Sequence, residues 1–301
     1  VNRFRGRNRR LCLRALAALP LVWRGGSVGL ARAQHGSHPN SAPLRVGLTP
    51  AFLHDSHTVV ERWRDYLIRH LARPVEFVLR DSYRETMDLF RLGQLDFAWI
   101  CDYPYLQLRR QVRLLAVPLF RGRPEYRSYL IVNAADSATH SIADLRGKLF
   151  AFADPLSNTG YLVPRYQLHL IGETPERFFA KHFFTFGHRK IVEAVASGLA
   201  DAGAVDSFVW ETLAELSPTL TGRTRVAWRS APFGFPPLVA HRERVGEEPF
   251  GAMQRALLSM RDDPEGRDLL ADLNIDGFIA GAPELYDGVA KMMRALGEPP
   301  D

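Results

Sequence analysis

The sequence predicts an α/β protein built as two lobes. Three observations predict it. Short apolar strands alternate with amphipathic helices along the body of the chain. That alternation pauses and restarts near residue 130. Two extended segments, 129–132 and 235–240, bracket the restarted block. Alternation of this kind gives mostly parallel sheets with right-handed crossovers. Two lobes joined by two strands leave a cleft, and ligands bind there by lobe closure.

Leu44 to Leu48 alternates as a strand and stops at Thr49-Pro50. Val59, Trp63, Leu67 and Leu71 recur every four residues, which is a helix stripe. Val75 to Leu79 reads as a second strand. Ser82-Tyr83-Arg84-Glu85 is a capping box that opens a helix through Leu92. Leu95 to Ile100 is a third strand, Tyr103 to Arg110 a helix, and Leu114 to Phe120 strand-like.

In the second block, Ser141 to Leu145 is a short helix and Leu149 to Ala153 a strand. A turn at 154–160 opens a helix to Leu170, and Phe183 to Phe186 is a strand. Ile191, Val192, Val195 and Leu199 mark a helix ended near Gly198. Ala202 to Val205, Phe208 to Leu216 and Val226 to Trp228 read as strand, helix and strand. The tail from Glu247 to Leu296 is mostly helical and returns to the first lobe. The resulting division is an export signal at 1–33 and a leader at 34–43. Lobe 1 takes 44–131 plus 237–301, and lobe 2 takes 132–236.

Composition narrows the function. With 301 residues, 46% hydrophobic and 24% charged, the chain forms a core and is not a disordered one. Apolar runs fall short of the ~20 residues of a spanning helix, so no direct membrane insertion of the mature body is expected. The net charge of +6 would suit a nucleic-acid partner. Its position in the chain removes that reading. Residues 1–33 hold eight arginines and no acid, which leaves 31 basic side chains against 33 acidic ones, a balance of −2. The Arg-rich start, the apolar stretch Leu11 to Trp23 and Ala31-Arg32-Ala33 together look like an export signal. The run Asn8 to Arg14 resembles a twin-arginine signal. Cleavage would remove Cys12 and leave Cys101 as a lone thiol.

The strongest site signal is Ser157-Asn158-Thr159-Gly160, between a strand and a helix. A helix start offers unpaired N–H groups and the positive end of the dipole, and small hydroxylated residues let an anion approach. An ordinary N-cap is the plain alternative. Pro164 complicates it, because it removes an interior N–H and strands the carbonyl of Gly160. His188, in Gly187-His188-Arg189-Lys190, opens a second helix after a strand; it either faces the cleft or caps at the surface. Asp206 ends a strand where open sheets bind ligands, and equally suits an N-cap. In the first half, Cys101-Asp102-Tyr103-Pro104-Tyr105 ends the third strand. Tyr103 and Tyr105 suit an apolar wall. Cys101 is either a soft ligand for thiophilic species or a small buried residue. His54 and His57 share a helix face without a third ligand, so no metal site is expected. No cofactor is called for, and no nucleophile–base pair or catalytic motif points to an enzyme.

These residues resemble the periplasmic phosphate/phosphite/phosphonate-binding proteins of ABC transporters. The resemblance is carried by Leu44 to Pro50, Asp96 to Ile100, Asp154 to Pro164, Gly187 to Lys190 and Asp201 to Asp206, in order, over roughly 44–297. It implies a type II periplasmic-binding-protein fold with two hinge strands and a non-enzymatic capture of a small oxyanion for a membrane permease. It implies oxyanion contacts from Ser157, Asn158, Thr159 and Gly160, with His188 and Asp206, and less surely Tyr103 and Tyr105. Cys101-Asp102 departs from the Gly-Pro-like turn of the phosphonate binders. A Cys here is similar to the arsenite-sensing proteins of the superfamily, whose partner is a membrane histidine kinase.

Overall fold

The computed structural model of the chain describes residues 42–49 and 57–301. The expected export signal, most of the leader, and His54 lie outside the described residues. The first block gives β1 (Leu44–Leu48), α1 (His57–Leu71), β2 (Val75–Leu79), α2 (Tyr83–Arg91), β3 (Phe97–Trp99), α3 (Asp102–Gln107) and β4 (Val112–Leu119). The chain then runs through β5 (Glu125–Tyr126) into β6 (Ser128–Asn133), β7 (Leu149–Phe152), α4 (Val163–Leu170), α5 (Pro175–Phe178) and β8 (Lys181–Phe184). The second block closes with α6 (His188–Ser197), β9 (Ala202–Asp206), α7 (Ser207–Leu216), α8 (Pro218–Thr221) and β10 (Thr224–Arg229). After β11 (Phe233–Gly234) come β12 (Leu238–His241), α9 (Glu247–Leu258), α10 (Pro264–Asp272), β13 (Gly277–Ile279) and α11 (Asp287–Ala295).

Two mixed sheets form, in the orders β13-β4-β12-β3-β1-β2 and β10-β6-β9-β7-β8. They follow one plan. In each, three neighbouring strands are parallel (β2-β1-β3 and β8-β7-β9). A fourth strand then inserts antiparallel, β12 beside β3 and β6 beside β9. Those two inserted strands are the ones that arrive from the other lobe, so a chain entering a lobe pairs before it winds. Most strands still share one direction, as expected from the alternation.

The crossings differ from expectation. The segment 129–132 is not a connector but the middle of β6, paired on both sides by β9 and β10. Its residues Tyr129, Leu130, Ile131 and Val132 are buried, which suits a central strand and not a hinge. The joint is instead the short antiparallel ribbon of β5 and β11, with Tyr126 opposite Phe233 and Glu125 opposite Gly234. Likewise Leu238–His241 belongs to the first sheet. The lobe boundary therefore sits at the ribbon.

Other elements follow from local rules. In α1 the buried stripe is Val60, Trp63, Tyr66 and Leu67, displaced by one residue from the expected Val59. Ser82 caps α2 by accepting from the Glu85 N–H at 3.3 Å, but Glu85 returns to the N–H of Asp81 and not to that of Ser82. Gly198, in the left-handed conformation at φ 78, ends α6 as expected. The strand expected at 183–186 is shifted to Lys181–Phe184, because Phe186 has a positive φ of 54 that no strand accepts. The C-terminal elements return to the first sheet, with α9 against α1 and β4. Among the described residues no helix is long and apolar enough to cross a membrane.

Candidate functional site

The strand ends of both sheets meet at one buried cluster. From the second lobe come Ser157, Asn158, Thr159, His188 and Asp206, each at most 2% exposed. From the first lobe come Tyr83, Cys101 and Asp102, and from the ribbon Tyr126. The second-lobe turn binds the first lobe directly. The Asn158 side-chain amide donates to Asp102 at 2.8 Å, and the Asn158 N–H points at the Cys101 sulfur at 3.4 Å. The N–H of Tyr83, in the first turn of α2, donates to Asp154 at 3.3 Å.

Pro164 explains the shape of the turn. A regular α-helix from Ser157 would need an N–H at position 164. The chain instead makes a π-turn over Asn158–Leu162, in which the N–H of Leu162 reaches back to the carbonyl of Ser157 at 3.0 Å. Pro164 then falls in the first turn of α4, where its missing N–H costs little. The stranded carbonyl of Gly160 accepts from the Ala153 N–H at 3.1 Å. The wide turn lets Ser157 cap Gly160 at 3.0 Å and leaves the Thr159 carbonyl to Ser128 at 2.6 Å. Glycine is required at 160: a Cβ there would stand 2.4 Å from that of Ala153 and 3.0 Å from the His188 ring.

His188 is buried and is not a surface cap. Phe186, strained at φ 54, turns the chain so that α6 starts at this point. The N–H of Asp206 donates to His188 Nδ1 at 3.2 Å, so the neutral ring carries its proton on Nε2. Nε2 faces the Ser157 hydroxyl at 3.4 Å. Burial pushes the imidazole down to about 3. Asp206 is both a strand end and a cap, accepting from the N–H groups of Phe208 and Val209 at 2.7 and 3.4 Å. Burial pushes its carboxyl up to about 8, against the pull of those two N–H groups.

In the first lobe, Asp102 accepts from the Cys101 thiol (3.1 Å), the Tyr126 hydroxyl (2.8 Å) and the Tyr103 N–H (3.0 Å), besides Asn158. Burial raises it to about 6, and these donors restrain the rise. Burial and then the Asp102 charge push the Cys101 thiol well above its ordinary value. The thiolate, which is the form that binds soft metals and metalloids, is therefore disfavoured. Burial also raises Tyr83, with Cys101, Asp154, Asp206 and Asp102 adding to the rise.

The structure does not bring Tyr103 and Tyr105 to this cluster. Both follow Asp102 on α3, but their side chains meet other groups. The Tyr103 hydroxyl donates to Glu298, whose carboxylate also holds Arg165 at 2.9 Å. Tyr105 packs on the Tyr286 ring, centroids 4.7 Å apart. The aromatics of the cluster are Tyr83 and Tyr126. In the sequence Tyr83 stands out only as part of a capping box, and Tyr126 carries no signal. A tyrosine in the first turn of a helix that follows a strand was the available signal for the former.

The starts of α2, α6 and α7 and the π-turn ahead of α4 thus converge between two lobes. Helix starts carry partial positive charge, and two hydroxyls and a neutral imidazole stand among them. Such a constellation can hold a small anion by neutral donors, without a formal cation. Among the described residues no group of three or more His, Cys, Asp or Glu could hold a metal ion.

A bilobal fold with a hinge ribbon and converging helix starts defines a substrate-binding component of the type II periplasmic class. Residues 46–286 match the family of the periplasmic substrate-binding proteins of phosphonate ABC transporters, and the chain belongs to that family. A probable phosphite-binding protein of an ABC transporter, PhnD1 of Prochlorococcus marinus, is 24% identical over 275 residues, or 86% of this chain and 91% of that one. The phosphate-import protein PhnD of Mycolicibacterium smegmatis is 28% identical over 55% of this chain and 57% of its own length. Among solved structures, a binding component of a phosphonate ABC transporter from Pseudomonas aeruginosa superposes with a TM-score of 0.76 at 21% identity, covering 84% of this chain and 85% of that one. PhnD1 of Prochlorococcus marinus in complex with methylphosphonate gives 0.74 at 22% identity, covering 85% and 98%.

Proposed function

We propose that this chain is a non-enzymatic periplasmic protein that captures a phosphonate, phosphite or phosphate and delivers it to an ABC permease. One observation carries the reading: the turn Ser157-Asn158-Thr159-Gly160 is buried between the lobes, beside His188 and Asp206. The Thr159 hydroxyl is buried and has no hydrogen-bond partner. It is available to an oxyanion, and Nε2–H of His188, which faces the Ser157 hydroxyl at 3.4 Å, turns to the ligand when it binds. Burial favours the protonated form of Asp206, which donates to a further oxygen. The ribbon of β5 and β11 supplies the hinge by which the lobes part and close on the ligand. Closure exchanges the ligand's hydration for these fixed donors.

The relatives that bind phosphite, phosphate and methylphosphonate support this ligand class. Cys101 enters as a wall residue that donates to Asp102. The test is titration calorimetry with phosphite, methylphosphonate and phosphate. At least one binds with a micromolar or lower Kd, and Ser157→Ala weakens it about tenfold, the loss of one charge-assisted hydrogen bond. Absence of binding by all three, or steady turnover of any of them, would refute the proposal.

A further inference from the structure

The direction of one amide sharpens the ligand class. Asn158 is fully buried at the junction of the lobes. Its side-chain nitrogen donates to Asp102 at 2.8 Å and to the Tyr126 hydroxyl oxygen at 3.3 Å. The Tyr126 hydroxyl gives its own hydrogen to Asp102, so it meets Asn158 as an acceptor. Both hydrogens of the amide are therefore used on the first-lobe side. The reverse orientation would press the amide oxygen against the carboxylate. Asn158 Oδ1 is left buried with no hydrogen-bond partner. A buried acceptor left unsatisfied is costly, and a ligand that supplies a donor recovers that cost.

We propose that Asp102, by fixing the Asn158 amide, makes this a site for a ligand that donates a hydrogen bond. The ligand is a phosphorus oxyacid anion that keeps one P–OH, and a fully deprotonated oxyanion of the same shape is rejected. The inference rests on the function proposed above and names the protonation state of its ligand. Asp102 acts through Asn158 and is a positioning residue. The other groups around it are Cys101, Tyr126 and Tyr83 on the first-lobe side, and His188 and Asp206 on the second. A carboxylate at 102 also disfavours a second negative charge on the ligand by direct repulsion.

The experiment compares two ligands of equal charge and near-equal shape. Methylphosphonate, at a pH where it is the monoanion, carries one acidic hydroxyl; methanesulfonate carries none. Calorimetry on the full chain should show methylphosphonate binding at least about 100-fold tighter, as sites built to pair a ligand hydroxyl do. In Asp102→Asn the amide at 102 can pair with Asn158 in either orientation, and the preference should fall below about tenfold. In Asn158→Ala the acceptor is gone, and the preference should fall likewise. Equal affinities in the wild type overturn the inference while leaving the oxyanion function standing. An unchanged preference in both folded variants removes Asp102 and Asn158 from the explanation. If neither these ligands nor phosphite and phosphate bind the wild type, the proposed function fails and the inference with it.

Discussion

The two walls of the buried cluster are built on opposite principles. The second-lobe wall is made of donors held by secondary structure: a π-turn, two helix starts, a neutral imidazole and a capped aspartate. The first-lobe wall is made of side chains that satisfy one another, with Asp102 taking hydrogens from Cys101, Tyr126 and Asn158. The first arrangement suits an anion in general. The second narrows which anion. Affinity and selectivity should therefore be separable by mutation, wall by wall.

The largest effect is expected at the tightest point of the donor wall. Gly160→Val places atoms where Ala153 and His188 already stand, so it should abolish phosphonate binding. It should cost about 1–3 kcal/mol of stability, the usual penalty of overpacking. Calorimetry and thermal denaturation measure both. Retention of binding would mean that the turn is not where the ligand sits.

Asp206 sharpens the comparison through pH. Its carboxyl, at about 8 when folded, sits near 4 when unfolded, so the folded protein keeps a proton that the unfolded chain has lost. Its stabilising contribution is full below pH ~4 and is lost as pH rises toward 8. His188 acts in the other direction, contributing above pH ~6.5 and losing that contribution as pH falls toward 3. Of these groups, Asp206 acts alone between about pH 6.5 and 8, and stability should fall there by about 2 kcal/mol. Asp206→Asn should flatten that segment of the curve. Denaturant midpoints taken across the range decide it, and an equal slope in the variant would contradict the assignment.

A smaller effect is expected outside the cluster. Arg165 of the second lobe meets Glu298, which Tyr103 of the first lobe also binds. Arg165 and Glu298 are partly exposed, so the pair is worth about 0.2–1 kcal/mol. Glu298→Gln should change ligand affinity by no more than about fivefold, without altering preference among ligands. A changed preference would mean that this contact reaches the site. The smallest effect belongs to Cys101→Ser, which keeps a donor toward Asp102. Phosphonate affinity should change by less than about threefold.

The donor wall was largely legible in the sequence because it rests on local rules. Small hydroxylated residues after a strand, a glycine that admits close approach, and an aspartate at a strand end each state their role within a few residues. The first-lobe wall was not, because Tyr126 lies on a two-residue strand and Asp102 takes its meaning from Asn158, 56 positions away. Tyr103 and Tyr105 have partners equally distant in the chain, Glu298 and Tyr286, which no local pattern announces. The mostly parallel character of the sheets was legible as alternation, whereas the insertion of β6 and β12 depends on a crossing that no local pattern marks. Pro164 conflicts with a regular helix from Ser157, and the π-turn is how the chain resolves it.

Capture requires the ligand to lie in the interlobe cluster. A crystal structure of the chain grown with methylphosphonate tests this most directly. The phosphorus should lie within about 4 Å of the Thr159 hydroxyl and of His188 Nε2, at hydrogen-bonding reach through its oxygens. Density for the ligand elsewhere, for example beside Arg121, Arg123 and Arg127 near the ribbon, with the cluster unchanged, would contradict it.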